Sequence, residues 1–244
     1  MRDSYHIPPG VPERNLLAFS DIVPTSLEVG AIRGGVRPGC TVAIVGAGPI
    51  GLAAILTARL YSPRKIVVLD RDEKRLKIAR EVFGADDVIN TTNCEEKVRE
   101  LASKHFEEID GFDVVMEAVG HGTTFQMCQD LVGVGGSIAN IGVHGAAVGL
   151  DIDRLWSRSN TISMALVSAL PAPSMASTTT LINELCEKVS TYTLPMLLQL
   201  AAVPGKLDTS ALITHDFKFA DMKRAYDVFG DASHTGALKL NVEF

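Results

Sequence analysis

Cys40-Thr-Val-Ala-Ile-Val-Gly-Ala-Gly-Pro-Ile-Gly51 is the stretch that decides the fold. A short β-branched run, Thr41 to Val45, ends in Gly46-x-Gly48-x-x-Gly51, and an apolar, helix-prone stretch, Leu52 to Leu60, follows at once. Strand, glycine turn and helix in this order are the signature of a dinucleotide-binding crossover. Gly46 permits the tight turn, and Gly48 offers no side chain to hold a pyrophosphate off the backbone. Gly51 lets the helix lie close to the strand. The helix N-terminus, opening at Pro49 and Ile50, presents the free N–H groups of its first turn and the positive end of the helix dipole to the phosphates.

Alternation continues downstream. Lys65 to Leu69 reads as a second strand closed by Asp70, which follows Gly51 by 19 positions (70 − 51 = 19). That is close to the ~20 expected for an acidic residue on the adenosine ribose. A carboxylate there accepts ribose hydroxyl protons and repels a 2′-phosphate, which favours NAD over NADP. Arg71 pulls the other way, and Arg75, one turn into the next helix (Glu73 to Phe83), is within reach of the same ribose or phosphate. Further strands are expected at Asp87 to Asn90, Asp113 to Val119, Ser137 to Val143 and Thr161 to Val167. Helices are expected at Glu95 to Phe106 and Thr123 to Val132. Short apolar strands separated by helices imply an α/β fold: a doubly wound parallel Rossmann sheet with its ligand beyond the carboxyl ends of the strands. Before the first strand, a helix is expected from Ser20 or Asp21 to Ile32, ended by Gly34-Gly35.

The tail changes character. It carries helices at Leu194 to Ala202 and Asp221 to Phe229, and strand-like pieces at Ala211 to Phe219 and Ala237 to Glu243. Parallel crossovers are expected to have stopped there, leaving these strands exposed or paired only with each other. Residues 1–20 read as an extended leading segment, 21–205 as the nucleotide-binding domain and 206–244 as a C-terminal tail.

Composition narrows the function classes. The 244 residues are 46% hydrophobic and 21% charged, enough apolar content for a sizeable core. A net charge of −6 without a basic stripe argues against nucleic acid. No apolar run approaches a membrane span, and no signal peptide is evident, so a cytoplasmic protein is expected. Cys40, Cys94, Cys128 and Cys186 are scattered, with no Cys-x-x-Cys pair; they read as reduced thiols, with Cys40 facing the core. Asp113 and Glu117 read as capping or pairing groups on a buried strand rather than an acid/base pair. Trp156 is expected to pack under the sheet.

Several stretches in order go beyond a generic nucleotide fold: Asp21-Ile-Val-Pro-Thr25, Val36-Arg-Pro-Gly39, Val45-Gly-Ala-Gly-Pro-Ile-Gly-Leu52, Asp113-Val-Val-Met-Glu-Ala-Val-Gly120, Ile141-Gly-Val-His-Gly145, Gly205-Lys-Leu-Asp208, Leu212-Ile-Thr-His215 and Ala225-Tyr-Asp-Val-Phe229. Together they resemble the zinc-type alcohol dehydrogenases of the medium-chain dehydrogenase/reductase family. The resemblance implies hydride transfer between an alcohol carbon and a nicotinamide, with a catalytic zinc polarising the alcohol oxygen. It implies a pyrophosphate loop at Gly46, Gly48, Pro49, Ile50 and Gly51, and adenosine-ribose contacts from Asp70 and Arg75. It implies a loop over the adenine side at Val119 and Gly120, and nicotinamide contacts from Ile141, Gly142, Val143 and Thr25. His121, His144 and His215 match family positions on loops. Asp21 matches an aspartate that ligates zinc in the secondary-alcohol branch. Pairing of sixth strands across a two-fold implies a possible homodimer.

Two departures qualify these expectations. Residues 1 to 15 match only the end of the family's catalytic domain, so its zinc-binding cysteine, its His-Glu pair and its structural-zinc loop have no counterpart in this sequence. Asp21 alone does not make a zinc site, and His6 in the leading segment reads as solvated. Residues 169 to 190 have no counterpart in the family pattern, and Val167-Ser168 recurs as Val189-Ser190, as if a segment had been inserted. The expectation is therefore NAD(H) binding by part of an alcohol-dehydrogenase-like oxidoreductase, with no catalytic or metal-ligating residue assigned in this chain. A small alcohol or carbonyl substrate enters only if the catalytic half is supplied. The alternative is a stand-alone NAD-binding pseudoenzyme or partner-binding module.

Overall fold

The computed structural model describes residues 5–92, 111–166 and 193–244. The expected helix at Glu95 to Phe106, residues 169 to 190, and Cys94 and Cys186 lie outside them. Six parallel strands form the main sheet, in the order β3-β2-β1-β4-β5-β6. They are β1 (Thr41–Val45), β2 (Lys65–Asp70), β3 (Asp87–Asn90), β4 (Phe112–Glu117), β5 (Val132–Asn140) and β6 (Thr161–Met164).

The central strands are continuous β-branched and apolar runs because both faces of a wound parallel sheet are covered. All five residues of β1 are buried. Their side chains alternate between two cores. Val42, Ile44, Ile66, Val68, Val114 and Met116 pack with helices Pro49–Arg59 and Glu73–Glu81 and the segment from Ala18 to Ala31. Ala43, Val45, Val67, Leu69, Val115 and Ile138 meet Phe125, Cys128 and Leu131 of helix Gly122–Leu131 on the other face. Full burial of each large aliphatic side chain stabilises by about 1.5–3 kcal/mol. Asp113, at the opening of β4, accepts from Thr41 N–H (2.8 Å) and Thr41 Oγ1 (2.9 Å), so it pins the starts of β1 and β4 together.

Four sequence expectations are corrected. β5 starts at Val132, five residues early, and stops at Asn140 instead of Val143. Gly133, Gly135 and Gly136 look like a loop in sequence, but the backbone of Phe112 and Gly111 crowds this part of the strand, and a side chain at Gly136 would meet Phe112 O at 2.7 Å. The segment from Ile22 to Ile32 is not one α-helix: helix Ile22–Thr25 runs into a π-helix, Ser26–Ile32. Trp156 is 80% exposed, because Leu155 on the same short helix, Ile152–Ser157, takes the core position. Finally, crossovers do not stop in the tail. β7 (Ile213–Lys218) and β8 (Lys239–Glu243) pair parallel in their own two-stranded sheet, with helix Met222–Gly230 between them. They pair with each other, as expected. Arg14 of the leading segment reaches β7, bonding Asp216 Oδ2 (2.7 Å) and Ile213 O (2.9 Å).

Candidate functional site

Strand order reverses direction between β1 and β4, and a cavity of about 1000 Å³ opens at the carboxyl ends of the strands there. Gly46 and Gly48 form one side, Asp70, Arg71 and Arg75 a second, and Ala118 and Val119 a third. Crevices at such reversals are where open α/β sheets bind ligands.

The glycine turn has the conformation its sequence requires. Gly46 has φ +108°, and a Cβ there would lie 2.6 Å from Val119 Cγ2. Gly51 packs its α-carbon against the Gly46 carbonyl, which brings the helix onto the turn. Gly48 is different: its φ is −75°, and a Cβ would project into open space, with Arg75 Nη1 the nearest atom at 4.0 Å. The bare Gly48 backbone therefore faces a space that even a small side chain would begin to fill.

Three helices start at this edge, and their N-termini are treated differently. Asp72 caps helix Glu73–Glu81 by accepting from Lys74 N–H and Arg75 N–H. The His121 ring caps Gly122–Leu131 by accepting from Thr123 N–H. Helix Pro49–Arg59 has no side-chain cap. Helix geometry leaves its first N–H groups without an intrahelical acceptor, so an anion is accommodated there.

Asp70 is held rigidly. Its Oδ2 accepts from Ala47 N–H at 2.6 Å, and its Oδ1 from Arg71 N–H (2.7 Å) and Asp72 N–H (2.9 Å). A carboxylate has about four acceptor directions, so roughly one, on Oδ2, is left for a ligand hydroxyl. Arg75, with its Nε 3.9 Å from Asp72 Oδ2, lines the same cavity and brings its Nη1 to the open side of Gly48.

Of the residues singled out from sequence, Gly46, Gly48, Asp70, Arg71, Arg75, Val119 and His121 line the cavity. Gly120 lies behind Val119, in contact with the Gly142–Val143 backbone. Ile141, Gly142 and Val143 continue from β5, and Val143 is 79% exposed. Pro49 and Ile50 open the uncapped helix, and Ile50 O accepts from Ser26 Oγ at 3.0 Å. Thr25, whose Oγ1 donates to Asp21 Oδ1 at 2.6 Å, does not line the cavity. His215 sits on β7, its ring stacked on Phe217, apart from the cavity. Sequence reasoning missed Thr91, Thr123, Gln126, Met127 and Asp130, which also line it. The latter four lie along helix Gly122–Leu131, whose sequence carries no motif. The position of that helix, directly after a strand facing the glycine turn, was the available signal.

Residues 49–184, more than half of the chain, match the family model described as zinc-binding dehydrogenase. The chain belongs to the zinc-binding dehydrogenase family. An alcohol dehydrogenase of Cupriavidus necator is 29% identical over 239 residues, covering 97% of this chain and 58% of its own length. Among solved structures, zinc-dependent alcohol dehydrogenase 2 from Streptococcus pneumonia, in its apo form, is 36% identical with a TM-score of 0.82, over 98% of this chain and 61% of that one. A zinc-binding dehydrogenase-like protein from Sinorhizobium meliloti 1021, solved with NADP, shares the fold at 21% identity and a TM-score of 0.78, over 98% of this chain and 62% of that one. The chain thus spans about six-tenths of the length of these relatives.

The match places the cavity in the nucleotide-binding half of the dehydrogenase fold. The zinc of the family has no comparable counterpart: among the described residues, no group of three or more His, Cys, Asp or Glu is placed to hold a metal ion. Asp21 is exposed and engaged by Thr25. The described residues do not fit a catalytic zinc, which takes three protein ligands and an open position. No described helix is long and apolar enough to cross a membrane.

Proposed function

We propose that this chain is the NAD(H)-binding part of an alcohol-dehydrogenase-like oxidoreductase, one that exchanges a hydride between a primary or secondary alcohol and NAD. The observation that carries the reading is the uncapped start of helix Pro49–Arg59 beside the bare backbone of Gly48, within reach of Arg75 and opposite Asp70. Gly46, Gly48, Pro49, Ile50 and Gly51 surround the pyrophosphate. The open N–H groups and the dipole of the helix offset its charge, and Arg75 approaches the same anion. One ribose hydroxyl donates to the remaining direction on Asp70 Oδ2.

Val119 and Gly120 wall the adenine side, and Ile141, Gly142, Val143 and Thr25 serve the nicotinamide side. The bound nicotinamide supplies the hydride chemistry; the chain's own residues bind and orient it. A fixed carboxylate at the ribose disfavours a 2′-phosphate, so NAD is preferred over NADP, although Arg71 and Arg75 moderate the difference. We assign residues 21–205 to the cofactor domain and 206–244 to a C-terminal tail, and the scattered thiols and acidic charge support a cytoplasmic setting.

A homodimer is a further part of the proposal. Among the described residues β6 is an edge strand, and Trp156 before it, Met164 on it and Leu166 after it are exposed. Exposed apolar edges favour strand addition.

Calorimetric titration of the purified chain tests the cofactor claim. Binding of NADH, with NADPH weaker by about tenfold or more, is expected. A folded sample that takes up no NADH at millimolar concentration overturns it.

A further inference from the structure

Glu117 is fully buried at the end of β4, and no arginine or lysine is hydrogen-bonded to it among the described residues. Its carboxylate is met instead by hydrogen-bond donors of the loop after β4 and of the first turn of helix Gly122–Leu131. Oε1 accepts from Val119 N–H (3.1 Å), Gly120 N–H (3.0 Å) and Thr124 Oγ1 (2.7 Å), and Oε2 also accepts from Gly120 N–H (3.0 Å). The same residue's main-chain carbonyl accepts from Ile141 N–H (2.8 Å) and Gly142 N–H (3.0 Å). One residue therefore grips the loop after β4 with its side chain and the loop after β5 with its backbone.

The two loops cross in contact. A methyl group at Gly142 would overlap both the Glu117 carboxylate and Gly120 N, and one at Gly120 would overlap Val143 O. Asn140 and His144 close the far side. Asn140 Nδ2 donates to Gly142 O (3.0 Å), and the His144 Nε2–H donates to Asn140 Oδ1 (2.8 Å) while lying 3.6 Å from Glu117 Oε2. Val119 and Thr124, both held by the Glu117 carboxylate, line the cavity, so the arrangement backs its wall.

We propose that Glu117 is a positioning residue for the cofactor site: its buried carboxylate locks the Val119–Gly120 and Ile141–Val143 loops together before the dinucleotide arrives. The proposal rests on the cofactor reading above. A buried carboxylate serves this purpose because it accepts several N–H groups at once, and losing one such charge-assisted set leaves those donors unsatisfied. A ligand meeting preformed walls does not have to order them.

The test uses the full chain as wild type and as Glu117→Gln. Amide hydrogen exchange is measured without ligand, and NADH affinity by fluorescence titration. Glu117→Gln is expected to speed exchange at Val119 and Gly120 and, through the crossing, at Gly142, while β1 and β2 amides stay unchanged. It is expected to raise the NADH Kd about tenfold. Affinity within about twofold of wild type overturns the proposal, as does faster exchange confined to Val119 and Gly120. If Glu117→Gln does not fold, Thr124→Val, which removes one donor to Oε1, is expected to speed amide exchange at Val119, Gly120 and, through the crossing, Gly142 in the absence of ligand, and to weaken NADH about threefold; unchanged exchange at Gly142 overturns the proposal. Failure of the wild type itself to bind NADH overturns the cofactor reading, and the positioning role with it.

Discussion

Asp70 Oδ2 and the main-chain N–H of Ala47 are joined by a 2.6 Å hydrogen bond. The bond ties the end of β2 to the middle of the glycine turn, so the residue proposed to meet the ribose also shapes the loop proposed to meet the pyrophosphate. Asp70→Ala is therefore expected to act twice. It strands three backbone N–H groups and lowers stability by about 1–3 kcal/mol, and it weakens NADH about tenfold or more while narrowing the preference over NADPH. Denaturant melts and parallel titrations with the two cofactors measure both effects; an unchanged NADH/NADPH ratio sinks the discriminating role.

Gly46 and Gly48 separate folding from binding. Gly46→Ala forces a side chain into a positive φ and against Val119, and is expected to cost about 1–3 kcal/mol. Gly48→Val meets no such obstacle, since its backbone is at φ −75° and its Cβ direction is open. Its melting temperature is expected to stay within about 3 °C of wild type, while NADH binding falls about thirtyfold or more through lost pyrophosphate contact. Tight NADH binding by Gly48→Val contradicts the placement of the cofactor.

Cys128 sets a limit at alkaline pH. Burial, and then the negative charge of Glu117, push its thiol well above the ordinary value of 9.0. Folded and unfolded states both carry the proton below pH 9, so the contribution to stability is complete there. As pH rises, the unfolded thiol ionises first, and stability is lost up to the folded pKa. Between about pH 8 and pH 10 the wild type is expected to lose about 1 kcal/mol more than Cys128→Ala. Parallel slopes for the two proteins rule the effect out.

The β6 edge predicts the assembly. Met164 is 64% exposed on β6, which among the described residues is an edge strand. Met164→Asp is expected to convert a homodimer to monomer without changing NADH affinity, as read by sedimentation velocity. A concentration-independent wild-type monomer rejects the dimer.

The parallel core was legible because β1, β2 and β4 each hold a short unbroken apolar run (42–45, 66–69 and 114–116), and a strand buried on both faces needs that composition. β5 was misjudged at its start because the glycines that mark loops also occur where two backbones approach closely, as Gly136 does to Phe112. The π-helix from Ser26 was hidden because one extra residue per turn leaves the apolar pattern nearly helical. At the site, residues that act through backbone geometry, such as Gly46 and Gly48, were found by spacing. Those that act through tertiary placement, Thr91, Gln126 and Asp130, have no spacing to read. Glu117 reads in sequence as a capping or pairing group and accepts from N–H groups just after its strand, but its hold on two loops follows from topology, since β4 and β5 are neighbours only in space.

The reversal of strand order beside β1 has a consequence for how ligand and fold are coupled. One half of the sheet supplies Gly46, Asp70 and Arg75, and the other supplies Val119, His121 and Thr123, so neither half encloses the cavity alone. A dinucleotide held there bridges the two halves and stabilises their docked state by mass action. In that sense the cofactor acts as a cross-link, and its uptake reports that β1 and β4 have met.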